Sequence, residues 1–445
     1  MIQFYLAFPL LLFFLTHLKI PWAILFSFTL LLGLKNSFTQ KVKRYLSYKH
    51  IVVLFFILLV WCFLGGMGGF FFQNGDYQKH YQIFFDLAKN PWPVRYDLIY
   101  YDYPPIITNL MYYTAYYLPA SFLASLTSLK YIGVYQLIWT LMGLMLAFHQ
   151  LSSRIQKKRY FLFILFFIFA SGLDILGFLV TKERLPYWGE HIEFWFPQIQ
   201  FSSITTLLFW VPQHFIPALL FFSLMMSQEK IHEENLNFTS VLTLFWSPFV
   251  FLSTLVFISY RKTIKHIPSL FIGSFFIAYY SSKVSGEKIE FISPSFVLLL
   301  FFFLEAFIFY LLSKKDFLAK KSIFFLFLLC FVKIGYFNDL AMRTSILFLM
   351  VLFFQFFQKN KKTLVFSLIF LIGMMNPFQE IYRSISRKKS AYSHKYYLSI
   401  PKQKPHFIKQ YLSRKNHWFN QMFLKENNIK NFHPITKEQY TVLHE

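Results

Sequence analysis

The sequence predicts an all-α, polytopic integral membrane protein of about eleven spanning segments, with further helices lying on the outer membrane face. Three observations predict it. Of the 445 residues, 56% are hydrophobic and only 14% are charged, far less charge than a soluble chain uses to cover its core. Apolar runs of roughly 15–22 residues recur from end to end, and Phe alone supplies 63 residues. Backbone N–H and C=O groups in hydrocarbon must be satisfied within their own segment, so runs of this length read as helices. The short alternating segments of an outer-membrane barrel are missing from the pattern.

The runs fall near 3–17, 20–34, 51–72, 131–149, 160–180, 201–226, 268–283, 292–313, 322–337, 344–358 and 363–377. The first lacks a basic leader and a small-residue cleavage site, so it is expected to be retained as a helix. Short lysine-rich loops, Lys41 to Lys49, Arg154 to Arg159, Arg261 to Lys265, Lys314 to Lys321 and Lys359 to Lys362, are assigned to the cytoplasm. That assignment forces two exceptions. The stretch 104–127 becomes a hairpin or interfacial helix on the outer face, where its tyrosine hydroxyls suit the boundary. The stretch 238–260, broken at Trp246-Ser247-Pro248, becomes a re-entrant or broken helix.

The outer face then receives 74–130, 181–200, 284–291, 338–343 and the tail. Two units follow: a membrane domain over 1–377, carrying the outer loop 74–130, and a basic extracytoplasmic tail over 378–445. The tail has 13 Lys and Arg against 4 Asp and Glu, with amphipathic stretches such as Phe407 to Phe423. The whole chain carries a formal charge of +24, read as cytoplasmic loops and contact with anionic lipid. Its aromatics are dispersed through apolar runs, which argues against a nucleic-acid surface. Cys62 and Cys330 lie inside apolar runs, so neither a disulfide nor a metal-ligand spacing is expected.

Chemistry-bearing residues collect at the outer ends of the spans. The loop after the third span brings Asp76, His80, Asp86, Asp97 and Asp102 together with Lys79 and Arg95. Asp76 follows a glycine-rich helix end (Gly65, Gly66, Gly68, Gly69, Gly75), which suits a general base or a ligand at the membrane boundary. It equally suits a cap on a helix over 77–89. In Trp188-Gly189-Glu190-His191-Ile192-Glu193-Phe194-Trp195, two carboxylates and an imidazole lie between indoles, a set able to read sugar hydroxyls. An aromatic belt with solvated charges has the same composition.

Trp210-Val211-Pro212-Gln213-His214 lies within the sixth run, so its polar pair must face the bundle interior. Asp339 and Arg343 lie in a short outer turn, where Arg343 can hold a phosphate or pair with Asp339. Glu305, inside a span, reads as a bundle-facing hydrogen-bond partner.

This arrangement resembles the class C membrane glycosyltransferases, which use polyprenyl-phosphate sugars. The likeness runs over roughly 51–230 and rests on Gly75-Asp76, the helical stretch 77–89 and Tyr101-Asp102-Tyr103-Pro104-Pro105. Two spans precede the loop-bearing helix instead of one, and Asp76 has no acidic neighbour. The Trp210–His214 and Asn338–Arg343 segments resemble uncharacterised bacterial membrane proteins, a likeness that carries no activity.

The resemblance implies an inverting transfer from a polyprenyl-phosphate sugar to a glycan, lipid or protein acceptor outside the inner membrane. In it Asp76 is the general base and Arg343 or Arg95 holds the departing phosphate. His80, Tyr101, Tyr103, Trp188, Glu190, His191, Glu193, His214 and Asp339 are the further substrate-binding candidates. A divalent cation is left open, with no protein metal ligand assigned.

Three other classes compete. A transporter or flippase of a lipid-linked or anionic substrate predicts paired broken helices, of which only the Pro248 break is visible in the sequence. A polysaccharide polymerase or ligase of another membrane fold would use outer arginines more than an aspartate. An assembly protein would need no acid–base residues at all. The catalytic reading expects Asp76, Glu190, His214 and Arg343 to converge on one cavity.

Overall fold

The computed structural model describes all residues except 39–45, 102, 228–232, 260–265, 285–287, 336–337, 360–363, 389–397, 405–407, 428–430 and 445. Asp102, Phe407 and much of the basic loops near 41–49, 261–265 and 359–362 therefore lie outside the described residues.

Helices account for 70% of the structure and strands for 6%. The helices of the first half are α1 (Ile2–His17), α2 (Ile20–Phe38), α3 (Tyr48–Leu64), α4 (Asp76–Lys89), α5 (Leu118–Leu126), α6 (Ile132–Leu151), α7 (Tyr160–Ile168), α8 (Asp174–Lys182), α9 (Ile204–Trp210) and α10 (Pro212–Met225). Those of the second half are α11 (Glu233–Trp246), α12 (Pro248–Leu255), α13 (Ile267–Ser281), α14 (Phe296–Leu312), α15 (Phe317–Leu329), α16 (Asp339–Lys359), α17 (Leu364–Gly373), α18 (Met375–Ser386), α19 (Trp418–Phe423) and α20 (Lys437–His444).

Three helical stretches, Leu129–Arg154, Asp339–Lys359 and Leu364–Ser386, are long and apolar enough to cross a membrane, and α1, α2, α3, α10, α13 and α14 are shorter apolar helices. Phe8, Ile24, Phe28, Phe56, Val60 and Leu162 stand exposed on helix surfaces, an apolar exterior that suits lipid.

Side-chain caps start several helices. Ser203 Oγ accepts Thr206 N–H at 3.1 Å and Ser247 Oγ accepts Val250 N–H at 3.2 Å. Asp316 Oδ1 accepts Ala319 N–H at 2.9 Å. Each satisfies a backbone donor that the helix start leaves unpaired. The α11–α12 pair is a hairpin about the break at Ser247. Asn237 Nδ2 donates to the Ser259 carbonyl at 2.9 Å, so the chain returns beside its starting point, and the break expected at Trp246-Ser247-Pro248 is present.

The all-α expectation needs one correction. Strands β1 (Arg95–Ile99) and β2 (Ile106–Leu110) form an antiparallel hairpin inside the outer loop. Two tail strands complete the sheet in the order β5-β2-β1-β6, with β5 (Leu412–Arg414) antiparallel to β2 and β6 (Phe432–Pro434) parallel to β1. A second small ladder joins β3 (Ile289–Phe291) to β4 (Val332–Ile334). Ile106-Ile107-Thr108 supplies the β-branched residues that favour a strand over a helix. The stretch 104–127 therefore holds a strand and the nine-residue α5, and no spanning helix.

The described part of the tail packs against the rest of the chain. Position 378 falls inside α18, and the tail pairs with the outer loop. Lys19 N–H donates to the Phe423 carbonyl at 2.9 Å, and Lys283 bridges Ser413. Asn338 Nδ2 donates to the Gln198 carbonyl at 3.2 Å. The segments assigned to the outer face thus meet at one end of the bundle.

Candidate functional site

At that end a cavity of about 420 Å³ opens between α4, the α9–α10 junction, the 191–202 loop, the start of α16 and the tail. Its wall includes Asp76, Lys79 and His80 from α4, His191 and Gln200 from the loop, and Asp339 and Arg343 from α16. Tyr112, Tyr117, Trp210 and Tyr411 give it aromatic faces.

The helix break before Pro212 explains much of this wall. Proline at the first position of α10 has no N–H to continue the ladder from α9. The break at the non-helical Val211 (φ −135°, ψ 52°) also turns the His214 N–H onto the Val211 carbonyl at 3.0 Å, so the carbonyls of Phe209 and Trp210 need other donors. Asn74 Nδ2 reaches the first at 2.8 Å, and His80 Nε2 reaches the second at 3.0 Å. A carbonyl only accepts, so Nε2 carries the His80 proton, and Nδ1 accepts from the Tyr117 hydroxyl at 2.8 Å. Burial pulls the His80 pKa below its usual value, against the smaller opposing pull of Asp76. His80 is therefore a neutral strut between α4, the Tyr117 turn and the helix break.

Asp76 is the first residue of α4, one helical turn before His80 and on the same face. The helix is not capped by the Asp76 side chain. Asn74 Oδ1 accepts the Asp76 N–H at 3.0 Å. The Asp76 carboxylate instead meets Lys79 Nζ at 3.3 Å, with about a third of each side chain open to solvent.

Across the cavity, Arg343 Nη2 pairs with Asp339 at 2.9 Å and Nη1 donates to the Tyr113 hydroxyl at 2.7 Å. Its Nε is buried without a partner among the described residues. Gln213 likewise keeps a buried, unbonded Oε1. His191 Nδ1 lies 2.8 Å from Glu380 Oε1, while Glu380 Oε2 accepts Trp210 Nε1 at 3.0 Å and the same carboxylate pairs with Arg383. Burial, more than any neighbouring charge, lowers the His191 pKa, with Glu193 opposing.

Not every expected residue reaches the cavity. Asp76, His80, His191, Asp339 and Arg343 do. His214 sits just behind the wall: its Nδ1 lies 2.6 Å from Ser247 Oγ and its ring 4.8 Å from Tyr113. Glu190 is held by Arg184 through contacts of 2.6 and 2.9 Å, which lower its pKa, and it turns away from the cavity. Glu193 is buried, accepting from Gln200, Ser203 N–H and Asn376 at 2.5, 2.9 and 2.5 Å.

Trp188 is exposed and packs on Tyr382 and Phe378. Arg95 is bound within the sheet by Asp97 at 2.7 Å and by the Asn427 carbonyl at 3.0 Å, so it is not free to hold a cavity phosphate. Tyr101 and Tyr103 are exposed at the β1–β2 turn, where Tyr103 packs on Tyr440. Glu305 is buried and accepts Trp195 Nε1 at 3.2 Å. Of the four residues expected to converge, Asp76 and Arg343 do so, His214 backs the wall, and Glu190 lies apart because Arg184 claims it.

Lys79 and Gln213, whose polarity stands out in the sequence, both join the wall, and the structure adds Gln200 and the tail residues Gln410 and Tyr411, which the sequence does not single out. The tail members carry no local signal, since only the β5–β2 pairing brings them there.

Among the described residues no group of three or more His, Cys, Asp or Glu side chains could hold a metal ion. Within the cavity both His80 nitrogens, His191 Nδ1 and the Asp339 carboxylate already have partners, and the Asp76 carboxylate meets Lys79. Comparisons with protein-family models, curated proteins and solved structures return no match for this chain.

Proposed function

We propose that the protein is a glycosyltransferase of the inner membrane, transferring a sugar from a polyprenyl-phosphate donor to an outer-face acceptor with inversion. The fold is read here as class C-like with about eleven spans. One observation carries the reading: the Asp76 carboxylate, freed from capping by Asn74, faces a cavity that also holds Arg343. Asp76 removes the proton of an acceptor hydroxyl as its oxygen attacks the anomeric carbon. The bond from that carbon to the donor phosphate oxygen breaks, and the electron pair leaves with the phosphate. Arg343, with Lys79 at the rim, receives the growing negative charge. Aromatic faces from Trp210, Tyr112 and Tyr411 suit the apolar side of a sugar ring. A cavity of this size lies in the usual range for small-ligand sites, about 300–1,000 Å³.

The experiment is reconstitution of the purified chain in liposomes with a labelled polyprenyl-phosphate sugar and a panel of glycan, lipid and peptide acceptors. Transfer of label supports the reading; labelled donor that stays intact across the panel contradicts it.

A transporter or flippase reading is favoured by a different observation. The breaks before Pro212 and before Pro248 lie side by side, joined by His214 Nδ1 and Ser247 Oγ at 2.6 Å. Paired broken helices are the usual site architecture of transporters. The same liposomes separate the two, since a flippase moves the labelled lipid between leaflets and leaves its sugar–phosphate bond intact.

A further inference from the structure

The opposite end of the bundle holds a second cavity, of about 370 Å³, which the proposed reaction does not use. Two helices run between the ends. Arg343 and Lys359 on α16 are separated by about 24 Å of helix at the α-helical rise. On α10, Gln213 faces the first cavity and Met225 faces the second.

The second cavity gathers three cations from three parts of the chain: Arg154 after α6, Lys314 in the α14–α15 turn and Lys359 at the end of α16. Neither Arg154 nor Lys314 has an acidic partner among the described residues. Lys359 Nζ spends one donor on the Ser313 carbonyl at 3.2 Å, and its ammonium has no acidic partner among the described residues. The acid in the wall, Asp316, is already committed. One oxygen caps α15 and the other accepts Gln355 Nε2 at 2.6 Å. Arg159 lies over the Phe357 ring at 4.6 Å, adding a further positive charge on the same turn of α16. Below these groups the wall turns apolar, with Met225, Met226, Leu318 and Phe354.

Cations without an acidic partner among the described residues, beside apolar side chains and between helix ends, match an anionic phospholipid. The phosphate meets the cations and Gln358, and the glycerol and first methylenes meet the floor. A free phosphate would use the cations but gain nothing from the apolar wall. We propose that this cleft is a binding site for the phosphate headgroup of an anionic phospholipid. It is independent of the outer-face reaction.

The test is native mass spectrometry of the purified full chain in detergent with equal amounts of phosphatidylglycerol and phosphatidylcholine. Wild type is expected to retain phosphatidylglycerol with a preference of about tenfold, on the scale of one to two basic side chains near a membrane. Arg154→Gln/Lys314→Gln should abolish that preference, and the charge-keeping pair Arg154→Lys/Lys314→Arg should preserve it. Lys157→Gln/Lys158→Gln, which removes two exposed cations outside the cleft wall, should also leave it unchanged. Equal loss in that last pair would make the effect a diffuse surface field and overturn the site. Absence of any preference in wild type would overturn it without reference to a variant. Displacement of the retained lipid by glycerol 3-phosphate at equal concentration would assign the cleft to a soluble phosphate instead.

Discussion

Asn74 Oδ1 accepts the backbone N–H of Asp76 at 3.0 Å, and through its amide Asn74 also donates to the Phe209 carbonyl at 2.8 Å. One short side chain thus starts α4 and closes the carbonyl left open where α9 ends. Asn74→Ala is expected to cost about 1–3 kcal/mol, from a lost helix start and a buried carbonyl left unpaired. Thermal unfolding in detergent at matched lipid content checks it. An unchanged unfolding temperature would contradict the tie between the two elements.

His80 makes stability depend on pH in a definite direction. Its folded-state pKa lies below the ordinary 6.5, chiefly through burial. As pH falls through the unfolded value, the unfolded chain takes up the proton before the folded one does, so stability drops. His191 is shifted the same way and adds to the slope. Unfolding temperature should therefore fall from about pH 7 to pH 5.5, within the span where histidine titrates. His80→Gln should flatten that slope in part, by removing one of its contributors. An identical slope in the variant would contradict the assignment of His80 as a buried neutral strut.

Two glycines near the site should respond oppositely to alanine. A Cβ at Gly172 would overlap the carboxylate of the fully buried Glu305 and come within 3.1 Å of its Cα, so the clash extends to backbone. A Cβ at Gly75 meets nothing within 4 Å, and its φ of −61° suits any residue. Gly172→Ala should sharply lower the yield of folded protein, by overpacking of typically 1–3 kcal/mol or more, while Gly75→Ala should fold like wild type. Size-exclusion profiles after identical expression measure both.

Orientation is tested by labelling. A single cysteine at Gln156, exposed beside the basic residues Arg154 to Arg159, should stay protected from a membrane-impermeant maleimide in intact cells and react after permeabilisation. Cys62 and Cys330 are buried and give little background. Labelling in intact cells would reverse the orientation and place the Asp76 cavity on the cytoplasmic side.

The sequence carried the site's scaffold further than its wall. The start of α4 at Asp76 was legible from the glycine-rich approach and the apolar spacing after it. The tyrosines and the basic loops argue against a spanning helix over 104–127, where the structure has a strand and the nine-residue α5, and Pro248 marks the break between α11 and α12. The break at Pro212 was hidden because proline is tolerated at the first position of a helix and leaves no change in apolar pattern. The tail strands are three residues each, too short to stand out from their surroundings, and they alone carry Gln410 and Tyr411 to the cavity.

Partner choice was also out of reach. Glu190 looked available in one dimension, and only the fold reveals that Arg184, six residues earlier, turns back to hold it. Arg95 and Arg343 look alike in sequence. The first is spent on Asp97 and Asn427 inside a sheet, while the second keeps an unbonded Nε beside the cavity.

The most direct measurement compares glycosyl transfer by wild type and Asp76→Asn, using a polyprenyl-phosphate sugar and equal amounts of folded protein. Asparagine keeps the size of the side chain, and Asn74 still caps the helix, so the fold should be retained. An amide cannot accept the acceptor's proton, and turnover should fall by about 10²–10⁴, the usual contribution of a general base. The unfolding temperature should stay near that of wild type, since the substitution forfeits only a contact with Lys79 in which about a third of each side chain is open to solvent. Near-wild-type turnover in Asp76→Asn would contradict the proposed chemistry, because Glu190, bound to Arg184, and Glu193, buried behind Gln200, do not line the cavity, and Asp339, which does, is committed to Arg343.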